Sequence, residues 1–209
     1  MPNSADPCPL FPLPTVLFPG QVLPIYVFEE RYRALLRRVQ ETGQPFGILC
    51  IERSSRESAL PLHERVSRVG SFAHLLQAET HEDGTSSVVV AGGERFRVQE
   101  FDLSQPYLSG ILETWPLAQP EKDLDLTELR ARQLLAGLQR TWPARAAFLE
   151  QDAPQEPLLL ASYAAGLLLA QGYEANRADC NDALGEPTLA RRLERLLGAL
   201  PCGSTHLLN

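Results

Sequence analysis

The sequence predicts an α+β fold: an antiparallel β-pseudobarrel with one inserted helix over residues 1–120, then an α-helical bundle over residues 121–209. Three observations predict it. Before residue 115, β-branched and aromatic residues recur in short runs separated by Gly, Pro and Asp; after it, Leu and Ala dominate at helical spacing. The stretch WPLAQPEKD, residues 115–123, carries two prolines and few large apolar side chains, as a domain boundary does. Finally, 44% of the 209 residues are apolar, enough to supply a sizeable core and exclude wholesale disorder.

Residues 10–13 form a short Pro-flanked extended piece suited to a sheet edge. TVLFPG, residues 15–20, is a turn carrying two large apolar side chains, Leu17 and Phe18. Val22–Val27 is a strand. In residues 28–41 the apolar Phe28, Tyr32, Leu35, Leu36 and Val39 fall at i, i+4, i+7, i+8 and i+11, one helical stripe, which Gly43 and Pro45 terminate. Phe46–Ile51 is apolar throughout, as a buried strand requires. After a polar loop, Val66–Thr80 reads as one long strand or a bent pair with a bulge at Gly70. HEDGT, residues 81–85, is a hairpin turn, and residues 87–91 return from it. Gly92-Gly93 then makes a bulge or a reversal before the alternating strand 95–101, and residues 107–115 close the set. One helix among six or seven such strands argues for a small closed or pseudo-closed barrel.

In the second half Asp125 suits an N-cap, with Glu128 completing a capping-box-like pair. Leu126, Leu129, Leu134, Leu138 and Trp142 give that helix its apolar side. Pro157 opens a helix that is apolar on most sides, as at the centre of a bundle. Pro187 opens the last one, with Leu189, Leu193, Leu196, Leu197 and Leu200 on one face and Arg191, Arg192, Glu194 and Arg195 on the other.

Several function classes lose support from composition. The net charge of −7 disfavours nucleic acid and anionic membrane as partners, since both need a basic face. Of 19 basic residues only Lys122 is a lysine, and it sits in a Pro-flanked stretch without glycine. That context suits neither a phosphate loop nor a Schiff base. Cys8, Cys50, Cys180 and Cys202 are widely spaced, and His63, His74, His81 and His206 lack metal-ligand spacing. No G-x-S-x-G occurs, so no catalytic residue, cofactor or metal is expected. The N-terminus carries no secretory pattern, and the longest apolar run, residues 157–170, falls short of the roughly 20 that span a bilayer. A cytoplasmic protein without a membrane partner is the expectation.

Leu17 and Phe18 are the candidate contact residues. Large apolar side chains in a Pro/Gly turn are either tucked under the barrel or displayed to an apolar polypeptide. Gly92-Gly93 has no helix after it and so no anion site. Glu29, Arg31, Glu94 and Arg95 are either a cross-element ion-pair set or solvated charges. Arg31, Arg33, Arg37 and Arg38 share one helix and could form a basic stripe.

The run LFPLPTVLFPGQVLPIYVFEERYRALL, residues 10–36, resembles the opening of the Lon protease N-terminal domain. Phe46–Ile51, Val69-Gly70, Gly93-Glu94-Arg95-Phe96-Arg97, Pro106-Tyr107-Leu108 and the closing helix over residues 189–200 follow in the family's order. The resemblance implies a PUA-like pseudobarrel followed by a helical bundle. It implies recognition of unfolded or tagged polypeptide segments, with an ATP-dependent protease or chaperone as partner. In Lon the ATPase module and the Ser–Lys protease come later in the chain. Here the sequence ends at Asn209 and its single Lys122 serves neither, so the resemblance implies a stand-alone, non-catalytic form. Two other readings stay open. PUA-like barrels elsewhere bind RNA, and a small-molecule receptor or enzyme would use a cleft between barrel and bundle lined by convergent polar groups.

Overall fold

A computed structural model describes residues 6–118 and 123–201. Lys122, Cys202 and His206 lie outside the described residues. The chain divides after Pro116 into two units.

In the first unit the β-branched and aromatic runs form six strands: β1 (Cys8–Leu13), β2 (Val22–Val27), β3 (Phe46–Ile51), β4 (Val66–Thr80), β5 (Ser86–Asp102) and β6 (Ser109–Thr114). Their order is β2-β5-β4-β3-β1-β6, and β6 also pairs back onto β5. Five strands therefore close into a ring, while β2 hangs on β5 as an edge. The sheet is mixed rather than wholly antiparallel, because β1 runs parallel to β3, Leu10 opposite Gly47. A parallel pair needs a long crossover, and β2 with helix α1 (Glu30–Thr42) supplies it.

Residues 87–91 and 95–101, expected as two strands, belong to the single strand β5. Its first half pairs with β2 and its second half with β6. Gly92 and Gly93 do not reverse the chain; they admit neighbours. A Cβ on Gly92 would sit 2.2 Å from the Phe18 carbonyl oxygen, and one on Gly93 2.6 Å from His74 Nε2. Opposite Ser71 to Ala73 the extra residue is on β5, between Gly92 and Arg95, which is the bulge expected at the glycine pair; between Leu75 and Gln77 it is on β4. Gly70 pairs regularly with Phe96 on β5, but on the β3 side the ladder shifts register just beside it: Leu49 lies opposite Gly70 and Ile51 opposite Val66, so β4 carries the irregularity expected there.

Helix α1 buries Tyr32, Leu35, Leu36 and Val39, the stripe its spacing predicts. Phe28 precedes the helix and is exposed. Phe11 stacks on Tyr32 with ring centroids 4.1 Å apart, tying β1 to α1. Leu17, Ile25, Val27, Ile48, Val88 and Val90 join this core, and a second cluster gathers Leu10, Leu49, Phe96 and Val98.

The second unit comprises α2 (Leu124–Thr141), α3 (Ala146–Asp152), α4 (Pro157–Leu169), α5 (Glu174–Gly185) and α6 (Leu189–Ala199). Helix α2 starts two residues earlier than Asp125 would cap it, with Asp123 at the N-cap and no side-chain cap bond. Pro157 opens α4 as expected. Thr188 caps α6 by accepting from the Arg191 N–H at 3.4 Å. Both α4 and α6 pack against α2 and α5, and against each other. Arg192, expected among exposed charges, is fully buried. Its guanidinium donates to the Ala183 and Leu184 carbonyls at 3.3 Å each, satisfying the end of α5, where cations are favoured.

Candidate functional site

The turn holding Leu17 and Phe18 is pinned to the β5 glycine step. The Gly20 N–H donates to the Gly92 carbonyl and the Gly92 N–H to the Gln21 carbonyl, each at 2.8 Å. The Phe18 N–H donates to Gln21 Oε1 at 3.0 Å. Both side chains point inward, Leu17 2% and Phe18 0% exposed. In this conformation they are core residues and present no apolar surface. The physical reason is the close approach that Gly92 permits, which draws the turn onto the sheet.

Exposed apolar surface lies instead a few residues on, along β2. Val22 is 61% exposed, Tyr26 56% and Phe28 61%, with Pro24 also exposed between them. Their partners Ile25 and Val27 are buried. Strand period separates the two sets, placing alternate residues on opposite faces. The sheet register extends the outer face across three strands. Val22, Ala91 and His74 form one row; Pro24, Val89 and Gln77 a second; Tyr26, Ser87 and Glu79 a third. Leu76, at the β4 bulge, is exposed as well. The rings of Phe28 and His81 lie 6.2 Å from that of Tyr26.

The hairpin holds the third row in place. The Tyr26 hydroxyl donates to Thr85 Oγ1 at 2.9 Å, and the Thr85 hydroxyl and N–H donate to Asp83 Oδ1 at 2.6 and 2.9 Å. These two bonds from Thr85 hold the Asp83 carboxyl below its usual range. His81 Nε2 lies 2.9 Å from Ser87 Oγ. The face is thus apolar along β2, mixed along β4 and acidic at the hairpin end.

The other candidates separate. Arg31 pairs with Glu29 at 2.7 Å, while Arg95 is buried elsewhere, so no cross-element set forms. Arg95 donates to the Trp115 carbonyl at 2.6 Å, and both it and Arg97 stack on the Trp115 ring. Burial, with the Arg97 charge adding to it, brings the Arg95 guanidinium down to about 10. The four arginines of α1 form no single stripe. Arg31 turns to Glu29, Arg33 and Arg37 line a hollow beside the hairpin, and Arg38 lines a different groove. That groove, about 880 Å³, collects Cys8, Phe72, His74 and Glu94. Burial pushes the Cys8 thiol up to about 12, so it stays protonated and is no nucleophile. Among the described residues no His, Cys, Asp and Glu cluster could hold a metal ion, and no helix is long and apolar enough to cross a membrane.

Val22, Tyr26 and Phe28 carried a signal that period counting missed. The run VLPIYVF has no charged residue at either parity, so whichever of its faces the core leaves uncovered is apolar. Pro24 marks the strand as an edge.

Comparison with known proteins gives a consistent result. Residues 7–200 match the profile of the ATP-dependent protease La (LON) substrate-binding domain. A Lon N-terminal domain protein from Xanthomonas campestris superposes with a TM-score of 0.59 at 25% identity, over 94% of this chain and 99% of that one. The N-terminal domain of Mycobacterium avium complex Lon protease gives 0.62 at 24% identity, over 97% and 100%. The Lon protease of Porphyromonas gingivalis is 30% identical over 110 residues, 53% of this chain and 13% of the relative. That of Methylocella silvestris is 34% identical over 94 residues, 45% and 11%. The aligned segments thus span only a small part of these curated relatives.

Proposed function

The chain belongs to the ATP-dependent protease La (LON) substrate-binding domain family, and from that membership we propose that it recognises unfolded or tagged polypeptide segments on the outer face of β2, β5 and β4. One observation carries the choice of surface: Val22, Pro24 and Tyr26 are exposed at alternate positions of β2, and the exposed Phe28 ring lies 6.2 Å from that of Tyr26. Single exposed apolar residues are ordinary, whereas a contiguous group marks a contact surface. Covering it with a client's apolar side chains removes both from water, worth about 25 cal/mol per Å². Folded proteins bury such side chains, so the face selects segments that are not folded.

The reading assigns recognition to this chain and chemistry to another. The chain acts as an adaptor that presents clients to an ATP-dependent protease or chaperone in the cytoplasm. The test is a titration of a reduced, carboxymethylated, permanently unfolded protein against wild type and a Val22→Ser/Tyr26→Ser variant. We expect the variant to bind about tenfold more weakly, with thermal unfolding unchanged. Equal affinity would remove this face from the function.

A further inference from the structure

The backbone of β2 adds a second kind of recognition to that surface. The Gly92 N–H donates to the Gln21 carbonyl. In an antiparallel pair, directly bonded and non-bonded positions alternate. With Leu23 opposite Val90, Ile25 opposite Val88 and Val27 opposite Ser86, those three residues turn their N–H and C=O groups toward β5. Val22, Pro24 and Tyr26 therefore turn theirs the other way, to the side where β2 has no neighbouring strand among the described residues. Pro24 occupies an outward position, where its missing N–H costs no ladder bond. The open edge offers three carbonyls and two amides, those of Val22 and Tyr26, about 13 Å apart at strand rise.

The residues with outward backbone groups are the same ones whose side chains form the apolar face. A strand added here would satisfy the edge and lay alternate side chains beside Val22 and Tyr26. A helix or a compact surface could do only the second. Charge narrows the occupant further. The hairpin beyond the Tyr26 end of the strand carries Glu82 and Asp83, with Glu79 two strands in from β2 and Arg33 donating to the Gly84 carbonyl at 3.3 Å, and Glu79 and Glu82 make no ion pair among the described residues.

We propose that the open edge of β2 takes up an extended segment of a client polypeptide as an added strand, with apolar side chains at alternate positions and a basic residue toward the β4–β5 hairpin. This rests on the reading of the apolar face as a recognition surface. It adds the conformation and pattern of the segment, because main-chain bonds supply affinity and alternate side chains supply selection. In the antiparallel sense the residue opposite Pro24 donates its N–H to the Pro24 carbonyl and so is not itself proline.

The test uses a labelled peptide, Lys-Thr-Val-Thr-Phe-Thr-Val-Thr-Lys, followed by fluorescence anisotropy with the whole chain. Two analogues carry backbone N-methyl groups, one on Val, Phe and Val, the other on the Thr residues between them. An added strand points only one of these sets at β2. We expect methylation of the apolar set to weaken binding about tenfold or more through lost hydrogen bonds, and methylation of the Thr set to leave it unchanged. The reverse pattern supports addition in the parallel sense. If both analogues bind like the parent while Val22→Ser/Tyr26→Ser still weakens capture of unfolded protein, strand addition is overturned and the apolar face stands. If neither the peptide nor unfolded protein binds, both fall. A peptide-free dimer that Tyr26→Lys dissociates would give the edge to a second copy of the chain and overturn the proposal.

Discussion

Leu17 and Phe18 lie within eleven residues of Val22, Tyr26 and Phe28, and all five are large apolar side chains, yet the first two are buried and the last three are not. The difference lies in what the backbone beside each does. The turn is drawn in by two hydrogen bonds to Gly92, whose missing side chain leaves room for the Phe18 carbonyl. The strand has no such choice. Its period sends Ile25 and Val27 to the core and leaves Tyr26 and Phe28 exposed on the far side. Apolar character in a sequence therefore does not by itself decide burial; the local backbone geometry does.

The contrast can be broken from the buried side first. Phe18→Ala should cost about 3–5 kcal/mol, the usual range for emptying a core aromatic site, read by chemical denaturation. A loss under about 1 kcal/mol would mean the turn is not anchored as described. Gly92→Ala tests the anchor itself, since its Cβ would collide with the Phe18 backbone rather than with a side chain that can swing away. About 1–3 kcal/mol is expected, and an unchanged midpoint would contradict the close approach.

On the exposed side the order of effects reverses. Tyr26→Ser and Val22→Ser should each leave stability within about 0.5 kcal/mol while weakening capture of unfolded protein. A large stability loss with intact capture would make this face part of the fold and not of the function. The smallest effect concerns the hairpin beside it. The Asp83 carboxyl is held low by its bonds from Thr85. A lowered folded-state pKa means that the stability it contributes is present above the ordinary aspartate value of about 3.9. It is lost as pH falls through the lowered one. NMR titration of the carboxyl carbon should show a midpoint below that ordinary value, and one at or above it would deny the bonds.

Much of the fold was legible because period and punctuation acted locally. The bounds of β2, β3 and β4 fall where the residues predict, as does the buried stripe of α1. What could not be read depended on non-local partners. The Gly92-Gly93 pair looks the same in a reversal and in a strand that must admit a neighbouring backbone, and only the position of Phe18 decides. The parallel pairing of β1 with β3 and the burial of Arg192 against the end of α5 are likewise products of chain path. For the site, the resemblance indicated the kind of function, while Leu17 and Phe18, singled out as candidate contact residues, are buried in the structure. The surface itself needed the register, because VLPIYVF is apolar at both parities and the sequence does not say which set faces outward.

Amide chemical shifts of the labelled chain, recorded with and without a permanently unfolded polypeptide, should change along residues 22–28 and 87–91 and in the facing part of β4. Shifts confined to the helices of the second unit, or to the groove lined by Cys8 and Arg38, with β2 unmoved, would contradict the account.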